Sequence, residues 1–166
     1  MEKVVFKLSV ISILVLGLFT AIAGTLDSAP FRIVLPGASW TLNDSTAQNM
    51  GKGVKLVASI TSTNTQSKSI IIKTDIEGSP ASPLEEICAG IRDQFSNPIV
   101  KKLSDEETTF LGYKARRFTY EVNGTSYNEA IVFVAGNTGW TIACVGLLDQ
   151  KTEIKNLLTF YQKKER

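Results

Sequence analysis

The sequence predicts an α+β fold, an antiparallel sheet with helices on both faces, arranged as an α/β/α sandwich. Three observations carry that expectation. Candidate strands follow one another through short polar turns rather than through helical crossovers, which favours hairpins over a parallel sheet. One segment, 82–97, has the start and stop signals of a helix. The run Ala130–Ala135 is apolar at every position, as a strand covered on both faces requires.

Each element follows from its local pattern. Phe31–Leu35 reads as a short strand ended by Pro36-Gly37, with Trp40 just beyond. Residues 41–53 are polar and contain Gly51 and Gly53, which predicts a loop or a short frayed helix. From Val54 to Thr61 the apolar residues Val54, Leu56, Ala58 and Ile60 alternate onto one face. The polar run Ser62–Ser69 then turns the chain into Ile70–Ile76, completing a hairpin. Ser82, Pro83 and Glu85 form a helix start of capping-box type, and Leu84, Ile87, Cys88, Ile91 and Phe95 recur at helical spacing. Asn97-Pro98 stops that helix, because the residue before proline avoids the helical region.

Ile99–Leu103 and Thr108–Leu111 are short strand candidates on either side of an acidic turn at Asp105, Glu106 and Glu107. Tyr113–Val122 and Thr125–Ala135 flank Asn123-Gly124, the strongest short hairpin signal in the chain. After Gly136–Gly139, Trp140–Leu147 makes the last strand. Asp149 then caps a closing helix lined by Ile154, Leu157, Leu158 and Tyr161.

The N-terminus is of a different kind. Lys3 and Lys7 precede nineteen uncharged residues, 8–26, and Ala21 and Ala23 supply the small-residue spacing of a signal cleavage site. At 1.5 Å per residue the stretch also reaches about 28 Å, the thickness of the hydrocarbon layer. Residues 1–23 are therefore a signal peptide or a retained membrane anchor. Either reading exports the remainder, residues 28–166, as one domain to the periplasm or the cell exterior, and the lysines place the N-terminus on the cytoplasmic side.

Composition excludes several functions. The 166 residues carry a formal net charge of +2, which falls to about +1 without residues 1–23, so nucleic acid is not an expected partner. The chain has no histidine, which removes the commonest general base and the commonest metal ligand together. No metal or other cofactor is expected. Cys88 and Cys144 lack a histidine to make a thiolate, leaving a disulfide between helix and strand or two buried thiols as the open readings. Lys114 and Arg116 share one strand face while Arg117 points away, which reads as a charge-guarded sheet edge rather than an anion site. Trp40 and Trp140 are candidate ligand-groove aromatics, with a core position as the alternative.

The layout resembles that of the PsbP-like family, named for an extrinsic subunit of photosystem II, and its bacterial DcrB-like relatives. The resemblance is carried by Phe-Arg-Ile-Val-Leu-Pro-Gly-Ala-Ser-Trp at 31–40, by the strand, helix and strand of 70–103, and by Leu-Gly-Tyr-Lys-Ala-Arg-Arg at 111–117. It spans nearly all of residues 31–162. It implies an exported, mostly non-enzymatic domain and hands over no catalytic residues. The family's metal sites rely partly on histidine, which this chain lacks. The expected function is an exported accessory or binding protein with a protein partner in the cell envelope. The alternatives are a carrier of a small apolar ligand held between sheet and helix, and a histidine-free hydrolase.

Overall fold

A computed structural model describes residues 26–44, 48–51, 53–78 and 80–165. The expected cleavage residues Ala21 and Ala23, and all of 1–25, lie outside the described residues. The elements in chain order are β1 (Phe31–Ile33), β2 (Trp40–Asn43), β3 (Gln48–Gly51), β4 (Val54–Ser62), β5 (Lys68–Asp75), α1 (Pro83–Arg92), β6 (Val100–Phe110), β7 (Tyr113–Val122), β8 (Ser126–Ala135), β9 (Thr138–Leu147), α2 (Lys151–Asn156) and β10 (Tyr161–Lys163).

Strands order as β2-β4-β5-β9-β8-β7-β6 in an eight-stranded sheet, with β3 also paired to β4, and every pairing is antiparallel. A separate two-stranded ribbon joins β1 to β10. Side chains alternate across β8, and the two helices divide them. Ala130 and Val132 face α1 through Ile87, Cys88 and Ile91, together with Phe118 and Tyr120 of β7. Tyr127, Ile131 and Phe133 face α2 through Ile154 and Leu157, together with the ribbon residues Phe31 and Tyr161. The expected α/β/α sandwich is the observed architecture.

The hairpins form where turn chemistry asks for them. Asn123 and Gly124, at φ 55° and 65°, are the central residues of the turn between β7 and β8, which Thr125 N–H closes on the Val122 carbonyl at 3.1 Å. Leu111 and Gly112, at φ 52° and 82°, make the equivalent turn between β6 and β7.

Local details depart from the sequence expectation for identifiable reasons. Residues 41–53 hold strands β2 and β3 rather than a loop, because β4 offers both a free edge to pair with. A bulge in β4 between Leu56 and Ala58 inserts Val57 into the core, so the simple alternation from Val54 to Ile60 is broken. Ser82 occupies the cap position of α1 but makes no side-chain cap, and the Glu85 carboxylate, drawn to Arg92, does not complete a capping box. The helix passes through a 3-10 turn, Asp93–Ser96, before Asn97-Pro98 ends it. The closing helix is short, and Gln150 rather than Asp149 occupies its N-cap position, without a side-chain cap. A 3-10 turn follows it, and Tyr161 belongs to β10.

Candidate functional site

Three polar arrangements stand out on this frame. The first lies on the α1 face. Asp105 is not in a solvated turn: β6 runs unbroken through Asp105, Glu106 and Glu107, held by its register with β7. That register sets Asp105 beside Arg116, whose Nε donates to one carboxylate oxygen at 2.5 Å. From α1, Arg92 Nε donates to the other oxygen at 2.8 Å, and Arg92 Nη1 reaches Glu85 at 2.8 Å. Burial works against ionisation of Asp105, but the hydrogen bonds from Arg92 and Arg116 outweigh it and hold its pKa below the usual carboxylate value. The hydrogen bond from Arg92 likewise lowers Glu85. This network clamps helix to sheet and leaves no idle acid or base. Arg116 is consumed there, and β7 lies between β6 and β8, so Lys114 and Arg116 do not guard a sheet edge. The expected divergence of Arg117 is observed.

Arg117 faces α2 and belongs to the second arrangement. The strand registers align Ser69, Cys144, Glu129, Thr119 and Ser104 in one row across β5, β9, β8, β7 and β6. The row is stitched by Ser104–Thr119 at 2.8 Å, Cys144–Ser69 at 3.5 Å and Ser69–Tyr161 at 2.6 Å. At its centre Glu129 is fully buried, 2.6 Å from Arg117 Nη2. Burial pushes the Glu129 carboxyl above its ordinary value, and the Arg117 charge only partly offsets this. Sequence reasoning missed Glu129. Its signal was a lone acid placed one residue before an all-apolar run in a central strand.

Of the two open readings for the cysteines, the structure has the buried thiols and not the bridge. Both are free and buried, with Cys88 in the α1-side cluster and Cys144 in the α2-side cluster. The sheet itself separates them, because a helix residue above one face cannot reach a strand residue pointing to the other. Burial pushes each thiol up to about 12, so neither is poised as a nucleophile. Among the described residues no cluster of three or more Cys, Asp or Glu is arranged to hold a metal.

The third arrangement is a groove of about 1000 Å³ on the α2 face, where the β1–β10 ribbon leaves the sheet. Tyr113 and Trp140 form its aromatic floor, and Lys163, Lys164, Ser28 and Thr138 contribute polar rim. Tyr113 stacks on Phe133 with centroids 5.5 Å apart, which fixes its ring. Lys163 Nζ stands 5.8 Å from the Tyr113 centroid, while Lys164 Nζ is tied to the Leu26 and Asp27 carbonyls. Lys163 is therefore the groove's accessible cation. Of the two candidate groove tryptophans, Trp140 lines it while being 1% exposed, and Trp40 packs elsewhere, against Phe160 at 5.1 Å. No helix among the described residues is long and apolar enough to cross a membrane.

Neither a family model nor a curated protein sequence matches the chain. Solved structures do. One is the solution structure of cyanobacterial PsbP (CyanoP) from Synechocystis, with a TM-score of 0.55 and 11% identity over 81% of this chain and 87% of that one. Another is LpqN of Mycobacterium tuberculosis, described as involved in cell envelope biogenesis, with a TM-score of 0.53 and 13% identity over 81% of this chain and 83% of that one. At such identity the likeness speaks for architecture, and it agrees with the α+β sandwich described above. The fold of this protein is PsbP-like.

Proposed function

We propose that the protein is an exported, non-catalytic accessory module that binds a protein partner in the cell envelope through the groove beside Trp140. The observation that carries this reading is the contrast between that groove and everything else polar in the fold. The thiols are buried and unreactive, and the carboxylates with shifted pKa values are held by arginines. Among the described residues, the groove joins a fixed aromatic floor, a residue type enriched where proteins meet, to an open polar rim that carries the exposed Lys163. Export follows from the leader and apolar stretch of residues 1–26. The likeness to LpqN, a protein tied by its description to envelope biogenesis, fits the same compartment.

The apolar-carrier alternative receives less support. The α2-side core is filled by Phe31, Tyr127, Phe133 and Trp140, and the groove is open and lysine-rimmed rather than enclosed and apolar. The test is affinity capture from the native envelope with the wild-type chain and with Lys163→Glu, compared by quantitative mass spectrometry. A partner retained by the wild type and lost from the variant supports the reading. Identical recovery with both chains, or recovery of extracted lipid alone, sinks it.

A further inference from the structure

The two edges of the sheet are built differently. One is broken into the four-residue strands β2 and β3, which share β4. The other is β6, eleven residues long, with β7 as its single strand neighbour among the described residues. A long open edge presents a row of backbone donors and acceptors that invites another strand. Two devices guard it against indiscriminate pairing, a bulge at Leu103, which is itself 39% exposed, and the exposed charges of Lys101, Lys102, Glu106 and Glu107, so a partner strand must match those charges.

That bulge also sorts the charges. Lys101 lies opposite Glu121 and Glu106 opposite Arg117, so both stand on the α2 face. Lys102 lies opposite Tyr120 and Asp105 opposite Phe118, so both stand on the α1 face. Residues 101 and 106 are an odd number of positions apart and would occupy opposite faces of a regular strand. The extra residue brings them to the same one.

We infer that β6 is the contact surface for a second copy of this chain, paired antiparallel about a two-fold axis between Leu103 and Ser104. A two-fold axis normal to the sheet keeps each face continuous across the pair, so partnered residues must share a face. Placed between 103 and 104, it sets Lys101 against Glu106 of the second copy on the α2 face. On the α1 face it sets Lys102 against Asp105 of the second copy, with Glu107 diagonal to it. Each relation occurs twice by symmetry, so the basic half of each strand meets the acidic half of the other. Lys101, Lys102, Glu106 and Glu107 are exposed, and Leu103 closes the centre. A regular β6 would have matched no face in this register; the bulge makes the edge self-complementary.

The experiment is sedimentation velocity on the full chain, in one mild non-ionic detergent throughout, with thermal melting to confirm folding. The wild type associates reversibly as a dimer. Lys101→Glu and Glu106→Lys each weaken that dimer by tenfold or more, and an equimolar mixture of the two variants recovers it, because the acid placed at 101 then meets the base placed at 106 while both Lys102–Asp105 relations stay intact. The apolar stretch 8–26 is common to all the chains, so association through it cannot follow the charges. Recovery in the mixture also shows that both variants fold. A monomeric wild type, variants that dimerise as well alone as the wild type, or a mixture that stays monomeric would overturn the inference. A wild type that stays monomeric yet binds an extended peptide along β6 also overturns it, assigning the edge to a different protein.

Discussion

The carboxylate of Glu129 is completely buried against Arg117, with Oε1 2.6 Å from Nη2 in a poorly aligned contact. Neither Glu129 Oε1 nor Arg117 Nε completes a hydrogen bond. Removing one member of such a pair strands the other. Arg117→Met is expected to destabilise the fold toward the lower end of ~3–5 kcal/mol, because the Arg117 side chain is 37% exposed and water screens the pair. Urea titration of both proteins checks it; an unchanged midpoint would refute a structural role for the pair.

The same carboxylate has a signed pH dependence. Burial raises its folded-state pKa, so the folded protein holds this proton more tightly than the unfolded chain. The resulting contribution to stability is present below the unfolded value of about 4.3 and is lost as pH rises through the raised folded value. Glu129→Gln should therefore gain on the wild type as pH climbs from about 4 toward neutrality. Parallel melting curves across that range measure the difference directly.

Asp105 behaves in the opposite sense. Although burial opposes its charge, the two arginines lower its pKa, so its stabilisation is present above the unfolded value of about 3.9 and disappears as pH falls through the folded one. Asp105→Asn should cost about 2–3 kcal/mol at neutral pH, the loss of two charge-assisted hydrogen bonds, and progressively less below about pH 4. A pH-independent deficit would contradict the assignment.

Cys88 and Cys144 should resist alkylation by iodoacetamide at pH 8 in the native protein, since burial pushes both thiols to about 12. Two carbamidomethyl groups should be added after unfolding, without reductant. Failure to label the unfolded, unreduced chain would restore the disulfide.

Gly139 marks where α1 meets the sheet. A Cβ at that position would enter the space of Ile87 Cδ1, with Thr74 close on the other side. Gly139→Val is expected to destabilise by about 1–3 kcal/mol through overpacking. Ile87→Ala in the same chain should relieve part of that, giving a favourable coupling in a double-mutant cycle.

The division between what the sequence disclosed and what it hid follows the range of the forces involved. Asn123-Gly124, Pro83 and the all-apolar Ala130–Ala135 act over a few residues, and each element that they announce is present. Strands β2 and β3 escaped detection because they exist only by pairing with β4, a partner that composition does not reveal. The acidic run 105–107 looked solvated because its cations, Arg92 and Arg116, arrive from other elements. The cysteine pair was left between a disulfide and two buried thiols for a similar reason: the sequence places one on a helix and one on a strand but does not say that the sheet lies between them. Trp140 was singled out as a groove residue, whereas Tyr113 and Lys163 meet it only because β7, β9 and β10 converge.

The ribbon of β1 and β10 has a mechanical meaning. Tension reaching the protein through the residues that precede Leu26 falls first on the Lys164 ammonium, which grips the Leu26 and Asp27 carbonyls. It falls next on the three rungs from Phe31–Lys163 to Ile33–Tyr161, reinforced by Arg32 on Gln162. Along the chain from that end, these contacts are met before any rung of the eight-stranded sheet. The chain thus carries a sacrificial clasp where its two described ends meet, and a pull sufficient to open it would bare Phe31 and Trp140 while leaving the sheet whole.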